Sequence, residues 1–127
     1  MSIQANKEFV GRYIAGGDKS PATVDRFVDD QSLKDHIALF EAAFPGYRLD
    51  IEDMVAEGDL VAIRALFHGT HKGTFQGIAP TGRDVSMSAM VFYRIANGRI
   101  AQFWLNADAV SLLQQLGAIP ASEAAPA

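Results

Sequence analysis

Along the first third of the chain, apolar residues return at the spacing of a helix. Ile3, Phe9, Val10, Tyr13 and Ile14 share one stripe, and Gly16-Gly17 stops it. Ser20-Pro21 reads as a second helix start, with proline in the first turn, where its missing N–H is not needed. Val24, Phe27 and Val28 form the apolar side of that helix. Ser32-Leu33-Lys34-Asp35 resembles a capping box with Asp in place of Glu. Leu33, Ile37, Phe40 and Phe44 then lie on one face until Pro45-Gly46. At Tyr47 the period changes to two. Tyr47, Leu49, Ile51 and Asp53 alternate with Arg48, Asp50 and Glu52, and Gly58-Asp59 makes a turn. Leu60 to His68 is apolar on both faces apart from Arg64, which predicts a central strand. The turn-rich stretch Gly69 to Gly82 leads into a strand from Val85 to Ile95. Asn97-Gly98 is a hairpin signal, and Ile100 to Leu105 is the returning strand. Asp108 to Leu116 closes the pattern as a short helix, stopped by Gly117.

Helices first, then a long antiparallel meander, then one short helix, predict an α+β fold. The expected form is a curved antiparallel sheet wrapped around the N-terminal helices, enclosing a cone-shaped pocket. The chain has 127 residues, which fits a single domain over residues 1–120 followed by a frayed tail, 121–127. A formal net charge of −4 argues against general nucleic-acid binding. No run approaches about 18 apolar residues, so no membrane span is expected. The first residues lack the pattern of a secretory signal. With no cysteine, disulfides, thiolate metal sites and thiol catalysis are excluded, and a reducing cytoplasm is the expected location. Three histidines without an HExxH pattern predict no metal site. No glycine-rich phosphate loop and no GxSxG elbow is present, so nucleotide binding and α/β-hydrolase chemistry have no support.

Several residues are candidates for chemistry, each with two readings. Asp108 follows the last strand, where a desolvated carboxylate makes a general acid or base. It also stands at a helix start, where Asp is a favoured cap. His71 is either a proton shuttle or a loop histidine bonded to backbone. Arg64 either holds a substrate oxygen or pairs across the sheet with a neighbouring carboxylate. Trp104 shares strand parity with Gln102 and Asn106. If that face is concave, the indole is a flat wall and Asn106 a polar contact. Met87 and Met90 suggest an adaptable apolar lining. Tyr13 and Phe40 are helix aromatics, either core or pocket wall. His36 lies among helical polar residues and is expected on the solvated surface.

The order of short blocks is informative. Phe44-Pro45-Gly46-Tyr47, Ile51 to Asp59, Val61-Ala62-Ile63-Arg64, Gly69 to Phe75 and Gly77 to Arg83 come first. Arg94-Ile95, Asn97-Gly98-Arg99-Ile100, Trp104 with Asp108 four residues later, and Leu112 to Gly117 follow. Together they resemble the SnoaL-like polyketide cyclases, within the nuclear transport factor 2-like superfamily. The resemblance covers residues 44 to 117 well and the N-terminal third loosely. It implies cyclisation of an aromatic polyketide ester by intramolecular aldol condensation, with neither metal nor organic cofactor. It also implies that Asp108 is the general acid/base. The expected ligand is a small apolar carbonyl compound, and superfamily relatives imply a homodimer paired through the outer sheet face. Our own reading adds His71, Asn106 or the Trp104 N–H as donors to an enolate, with Arg64, Tyr13, Phe40 and Met90 at the pocket wall. Many relatives have Glu-His before the last-strand tryptophan, whereas this chain has Gln102-Phe103. The segment between the second and third helices is cut back to Asp29-Asp30-Gln31-Ser32, which is expected to open one side of the cone or to alter the dimer contact. A non-catalytic binding module of the same fold is the alternative. Isomerase or epoxide-hydrolase chemistry, the latter through Arg64 with Asp53 or Asp108, is a third reading that no motif supports.

Overall fold

The computed structural model describes residues 2–120; the predicted tail, 121–127, lies outside them. Three helices come first: α1 (Ile3–Ala15), α2 (Pro21–Phe27) and α3 (Gln31–Ala43). Four strands follow: β1 (Arg48–Glu57), β2 (Leu60–Thr70), β3 (Asp84–Ala96) and β4 (Arg99–Ala107). A short helix, α4 (Ala109–Gln115), closes the chain. The strands form one antiparallel sheet in the order β1-β2-β3-β4. This is the predicted α+β architecture: a curved sheet with the helices on its inner face.

Local chemistry explains the element ends. The Ser2 hydroxyl caps α1 by accepting from the Ala5 N–H at 2.9 Å. Pro21 occupies the first turn of α2, as predicted. The third helix starts earlier than the capping-box reading implies. Its N-cap is Asp30, whose carboxylate accepts from the N–H groups of Ser32 and Leu33. A carboxylate at the positive end of a helix outcompetes a hydroxyl two residues later. The Asn97-Gly98 turn has both residues at positive φ, 54° and 74°, which matches the twist of the flanking strands.

Inward positions fall on one parity along β2 and β3. Val61, Ile63, Ala65 and Phe67 of β2 face the helices, as do Val85, Met87, Ala89, Val91, Tyr93 and Ile95 of β3. On β4 the inward set includes Phe103, Leu105 and Ala107. Strand β1 departs from simple alternation. Ile51 pairs with Ala65 but Asp53 pairs with Arg64, so Glu52 is an extra residue. This bulge turns Asp53 to the outer face and brings Met54 and Ala56 against the core. The period-two reading of the sequence put Asp53 on the side of Leu49 and Ile51, and the bulge overturns that.

The shortened link after α2 does not leave the cone open beside it. Val28 makes a parallel bridge to Ile100, and the Asp29 N–H donates to the Ile100 carbonyl at 2.9 Å. The Arg99 guanidinium donates to the carbonyls of Asp25 and Val28 and pairs with Asp29 at 3.1 Å. Val28 and Ile100 are fully buried at this seam.

Two apolar clusters result. One joins α1 and α2 to the strands around Val10, Val28, Val61 and Ile100. The other gathers around Phe44, Phe67, Phe75 and Leu112. Between β2 and β3 the chain folds back against the end of α3, where the N–H groups of Lys72 and Gly73 donate to the Ala43 carbonyl at 3.0 Å. A Cβ on Gly73 would stand 2.0 Å from the Ala42 carbonyl oxygen. Backbone cannot yield there as a side-chain tip can. We expect Gly73→Ala to destabilise the protein by about 1–3 kcal/mol, measured as a lower denaturation midpoint with circular dichroism. Gly11→Ala, where nothing lies within 4 Å, is the neutral or stabilising control in the same assay.

Candidate functional site

The helices do not fill the inner face of the sheet. Between the two clusters lies a cavity of about 370 Å³. Helix α3 supplies Leu33, His36, Ile37, Leu39 and Phe40 to its wall, and α1 supplies Tyr13. The sheet contributes Met87, Ala89, Val91 and Tyr93 from β3, and Phe103, Leu105 and Ala107 from β4. Phe75 and Gln76 close one side from the β2–β3 connection, and α4 adds Ala109, Leu112 and Leu113. Gln76 is held there by a tight turn in which the Phe75 and Ile78 backbones bond each other, with Gln76 at φ 49° and Gly77 at φ 81°.

The lining is mostly hydrocarbon, and its polar groups are few. Among the described residues, no Asp, Glu, Lys or Arg lines it. All three tyrosines of the chain do: Tyr13, Tyr47 and Tyr93. The rings of Tyr13 and Tyr93 meet edge to face at 5.8 Å. The Lys19 ammonium donates to the Tyr47 backbone carbonyl and lies 4.3 Å from the centroid of its ring. Burial pushes all three phenols above their ordinary pKa near 10, and mutual proximity adds to the effect for Tyr13 and Tyr93. They therefore stay protonated at neutral pH and present O–H donors in a medium of low dielectric.

His36 is the other titratable group in the wall. Its ring lies 4.6 Å from that of Phe40 and 6.1 Å from that of Phe103. Loss of solvation lowers its pKa from the ordinary 6.5, so the imidazole is neutral near pH 7. The sequence reading put His36 on the solvated surface, and the structure corrects this. The missed signal is spacing: Leu33 and Phe40 stand three before and four after it, on the same helix face.

Of the residues singled out from the sequence, Tyr13 and Phe40 line the cavity. Trp104, Asn106, Arg64 and Met90 do not, because they occupy the opposite parity of their strands and face outward. Trp104 is 46% exposed on that outer face, with the Arg94 guanidinium 5.4 Å from its ring centroid. Met90 is 59% exposed there, and Asn106, paired with it across β3 and β4, is exposed beside it. Arg64 is held by Asp53 and by Glu52 at 2.8 Å on the outer face, which realises the ion-pair reading and leaves it no place in the pocket. The cavity-lining methionine is Met87.

His71 is fully buried, but at the base of the β2–β3 connection rather than among the residues that line the cavity. Its Nδ1 accepts from the Thr81 N–H at 3.1 Å. Its backbone N–H donates to Arg83 O, and its carbonyl accepts from the Gly82 N–H. The backbone-bonded loop histidine is thus the reading its geometry fits. Asp108 is exposed and caps α4, accepting from the Ser111 N–H at 3.1 Å. It stands between Ala107 and Ala109, both of which line the cavity. Asp108 itself is not among the lining residues, and its carboxylate is turned to the start of α4. Among the described residues no three His, Asp or Glu side chains gather as metal ligands do. No described helix is long and apolar enough to cross a membrane.

An α+β cone with an apolar pocket between sheet and helices defines a class of small-molecule sites. Comparison with known proteins gives the family. The model of the SnoaL-like polyketide cyclases matches residues 8–116, and the chain belongs to that family. Solved structures share the fold over nearly the whole chain. AclR from Streptomyces galilaeus, a candidate hydroxylase, superposes with a TM-score of 0.83 at 23% identity, over 98% of this chain and 88% of its own. TsrD from Streptomyces laurentii does so with 0.81 at 22%, over 94% and 99%. IdmH from Streptomyces antibioticus, a candidate polyketide cyclase, gives 0.72 at 27%, over 88% and 98%. No curated protein sequence matches the chain.

The buried phenols make a direct prediction. For a group whose pKa is raised in the folded state, stability is fully present below the unfolded value near 10 and is lost as pH rises through the folded value. Tyrosinate absorbance should therefore be nearly absent from the folded protein at pH 10. On further alkaline titration it should appear together with loss of the circular-dichroism signal. Gradual tyrosinate formation around pH 10 in an intact fold would contradict the upward shift that burial gives the three phenols.

Proposed function

We propose that this chain is a cofactor-independent enzyme of polyketide-cyclase type, closing a ring in a small apolar carbonyl substrate by intramolecular aldol addition or related lyase/isomerase chemistry. The observation that carries the reading is the apolar cavity of about 370 Å³ whose polar side chains are three phenols, one neutral imidazole and the amide of Gln76. Such a site binds a folded carbonyl chain through its hydrocarbon surface and holds the reacting carbons together. Phenol O–H groups stabilise the enolate oxygen as charge develops on it. In this proposal Asp108, next in sequence to the lining residues Ala107 and Ala109, is the general acid/base, as the family resemblance implies. A carbon acid between two carbonyls loses its proton to the carboxylate, the enolate attacks the ketone, and the carboxylic acid returns the proton to the new alkoxide.

Asn caps a helix about as well as Asp, so Asp108→Asn separates capping from catalysis. On activated β-keto polyketide esters, the wild-type protein should yield cyclised product and the folded variant none, as followed by mass spectrometry. Full activity in Asp108→Asn would exclude the carboxylate from the chemistry. The exposed position of Asp108, and the absence of a carboxylate from the wall, favour a second reading, a binding module of the same fold. Tight retention of an apolar carbonyl ligand by both proteins, without product from either, supports that reading instead.

We further propose that two copies pair through the outer sheet face. That face carries Val55, Met90, Phe92 and Trp104 at 66%, 59%, 49% and 46% exposure, an apolar surface that association would cover. Sedimentation should give about twice the 13.7 kDa of one chain, and Phe92→Lys should halve it. A wild-type protein that sediments only as a single chain would refute the pairing.

A further inference from the structure

We propose that His36 makes the cavity an enolisation site for small apolar ketones: its imidazole removes a proton from the carbon next to a bound carbonyl, while the tyrosine hydroxyls hold the carbonyl oxygen. The inference rests on the cavity and not on Asp108 or on ring closure. Three observations carry it. His36 lies in the wall of the cavity, between the rings of Phe40 and Phe103. Phe40 on the same helix and Phe103 of β4 flank the ring, and His36 is half-buried. The other hydrogen-bonding side chains in the wall are three phenols and the amide of Gln76.

The electrostatic surroundings favour a free base. The titratable groups that share the wall with His36 are Tyr13 of α1, Tyr47 before β1 and Tyr93 of β3, all protonated by burial. Strand β2 contributes Phe67, β4 contributes Phe103, Leu105 and Ala107, and α4 contributes Ala109, Leu112 and Leu113, none of them charged. The charged residues of α3 itself, Lys34, Asp35 and Glu41, line a separate groove on the far side of the helix. Among the described residues, no carboxylate in the wall raises the basicity of His36, and no cation in it repels the proton. Burial alone lowers its pKa below 6.5, which leaves the ring unprotonated and ready to accept at neutral pH.

The step balances within the site. The C–H bond breaks, the proton moves to an imidazole nitrogen, and the electron pair passes through the α-carbon to the carbonyl oxygen. Phenol donors stabilise the resulting enolate. Return of the proton from the imidazolium restores the ketone. If the proton returns to a different carbon of a conjugated system, the product is an isomer. In deuterated solvent the imidazolium exchanges its proton for a deuteron, and the carbon is labelled.

The test uses 2-tetralone, an apolar bicyclic ketone with one activated CH2 between ring and carbonyl. Its C1 proton signal is followed by NMR in deuterated buffer, with saturation transfer reporting binding. Wild-type protein should bind the ketone and speed the loss of that signal over buffer. His36→Gln and His36→Asn, with melting temperatures close to wild type, should still bind it and lose about 100-fold or more of the exchange rate. The wild-type rate should be flat above neutrality and fall in acid with a midpoint below 6.5, because only the neutral imidazole accepts a proton. Exchange in His36→Gln equal to wild type overturns the proposal. So does loss of exchange in Asp108→Asn with retention in His36→Gln, and so does a ketone that gives no saturation transfer. Exchange that depends on His36, without any cyclised polyketide ester, upholds this site while the cyclase reading fails.

Discussion

A strand and a helix of equal residue count cover very different lengths, and the cavity follows from that mismatch. Strand β3 and helix α3 each contain 13 residues. Thirteen extended residues span about 43 Å, whereas thirteen helical residues span about 20 Å. No single helix can therefore cover the inner face of the long β2–β3 pair. The chain places α1 and α2 over one part of that face and the end of α3 with α4 over another. Each forms its own apolar cluster against the sheet. The space between the clusters is the site.

That origin explains its chemistry. A gap between two cores inherits core residues, so its wall is aromatic and aliphatic. Apart from the amide of Gln76, the polar groups within it are those carried by large, partly apolar side chains: three tyrosines and a histidine. Charges stay outside, where water solvates them. Asp53 and Glu52 face outward with Arg64, and Asp108 is exposed as the cap of α4. Burial then acts in opposite directions on the two kinds of titratable group in the wall. It keeps phenols protonated as donors and keeps imidazole deprotonated as an acceptor. A neutral acceptor and neutral donors in a dry pocket suit reactions in which charge appears only transiently on a carbonyl oxygen. Members of one fold can vary such a pocket by changing single wall residues without disturbing the scaffold.

The closure of the pocket depends on backbone contacts as much as on side chains. The β2–β3 connection is held by the buried His71, by hydrogen bonds to Ala43 O and by the close approach of Gly73 to α3. It carries Phe75 and Gln76 into the wall. The α2–α3 link is bound to the start of β4 through Val28, Asp29 and Arg99. Both connections tie helices to the sheet at a distance from the cavity, which allows the middle of the cone to stay unfilled.

Periodicity alone determined most of the scaffold. The change from helical to alternating spacing at Tyr47, the proline and glycine stops, and the Asn97-Gly98 turn locate the helices, strands and hairpin, because these signals depend only on neighbours in the chain. The ordered motifs from Phe44 to Gly117 also pointed to the family. Parity was legible too: Trp104, Gln102 and Asn106 do share a face. Which face is concave was not legible from β4 by itself, since that depends on where helices far away in sequence pack. The helices settled on the side of Phe103 and Leu105, which put Trp104, Asn106, Met90 and Arg64 outside. A single extra residue at Glu52 reversed Asp53, a change that depends on pairing with β2. The place of His36 in the wall was decided by Phe103 and the sheet opposite it, because burial is a property of what lies across the gap and not of the residue's own helix.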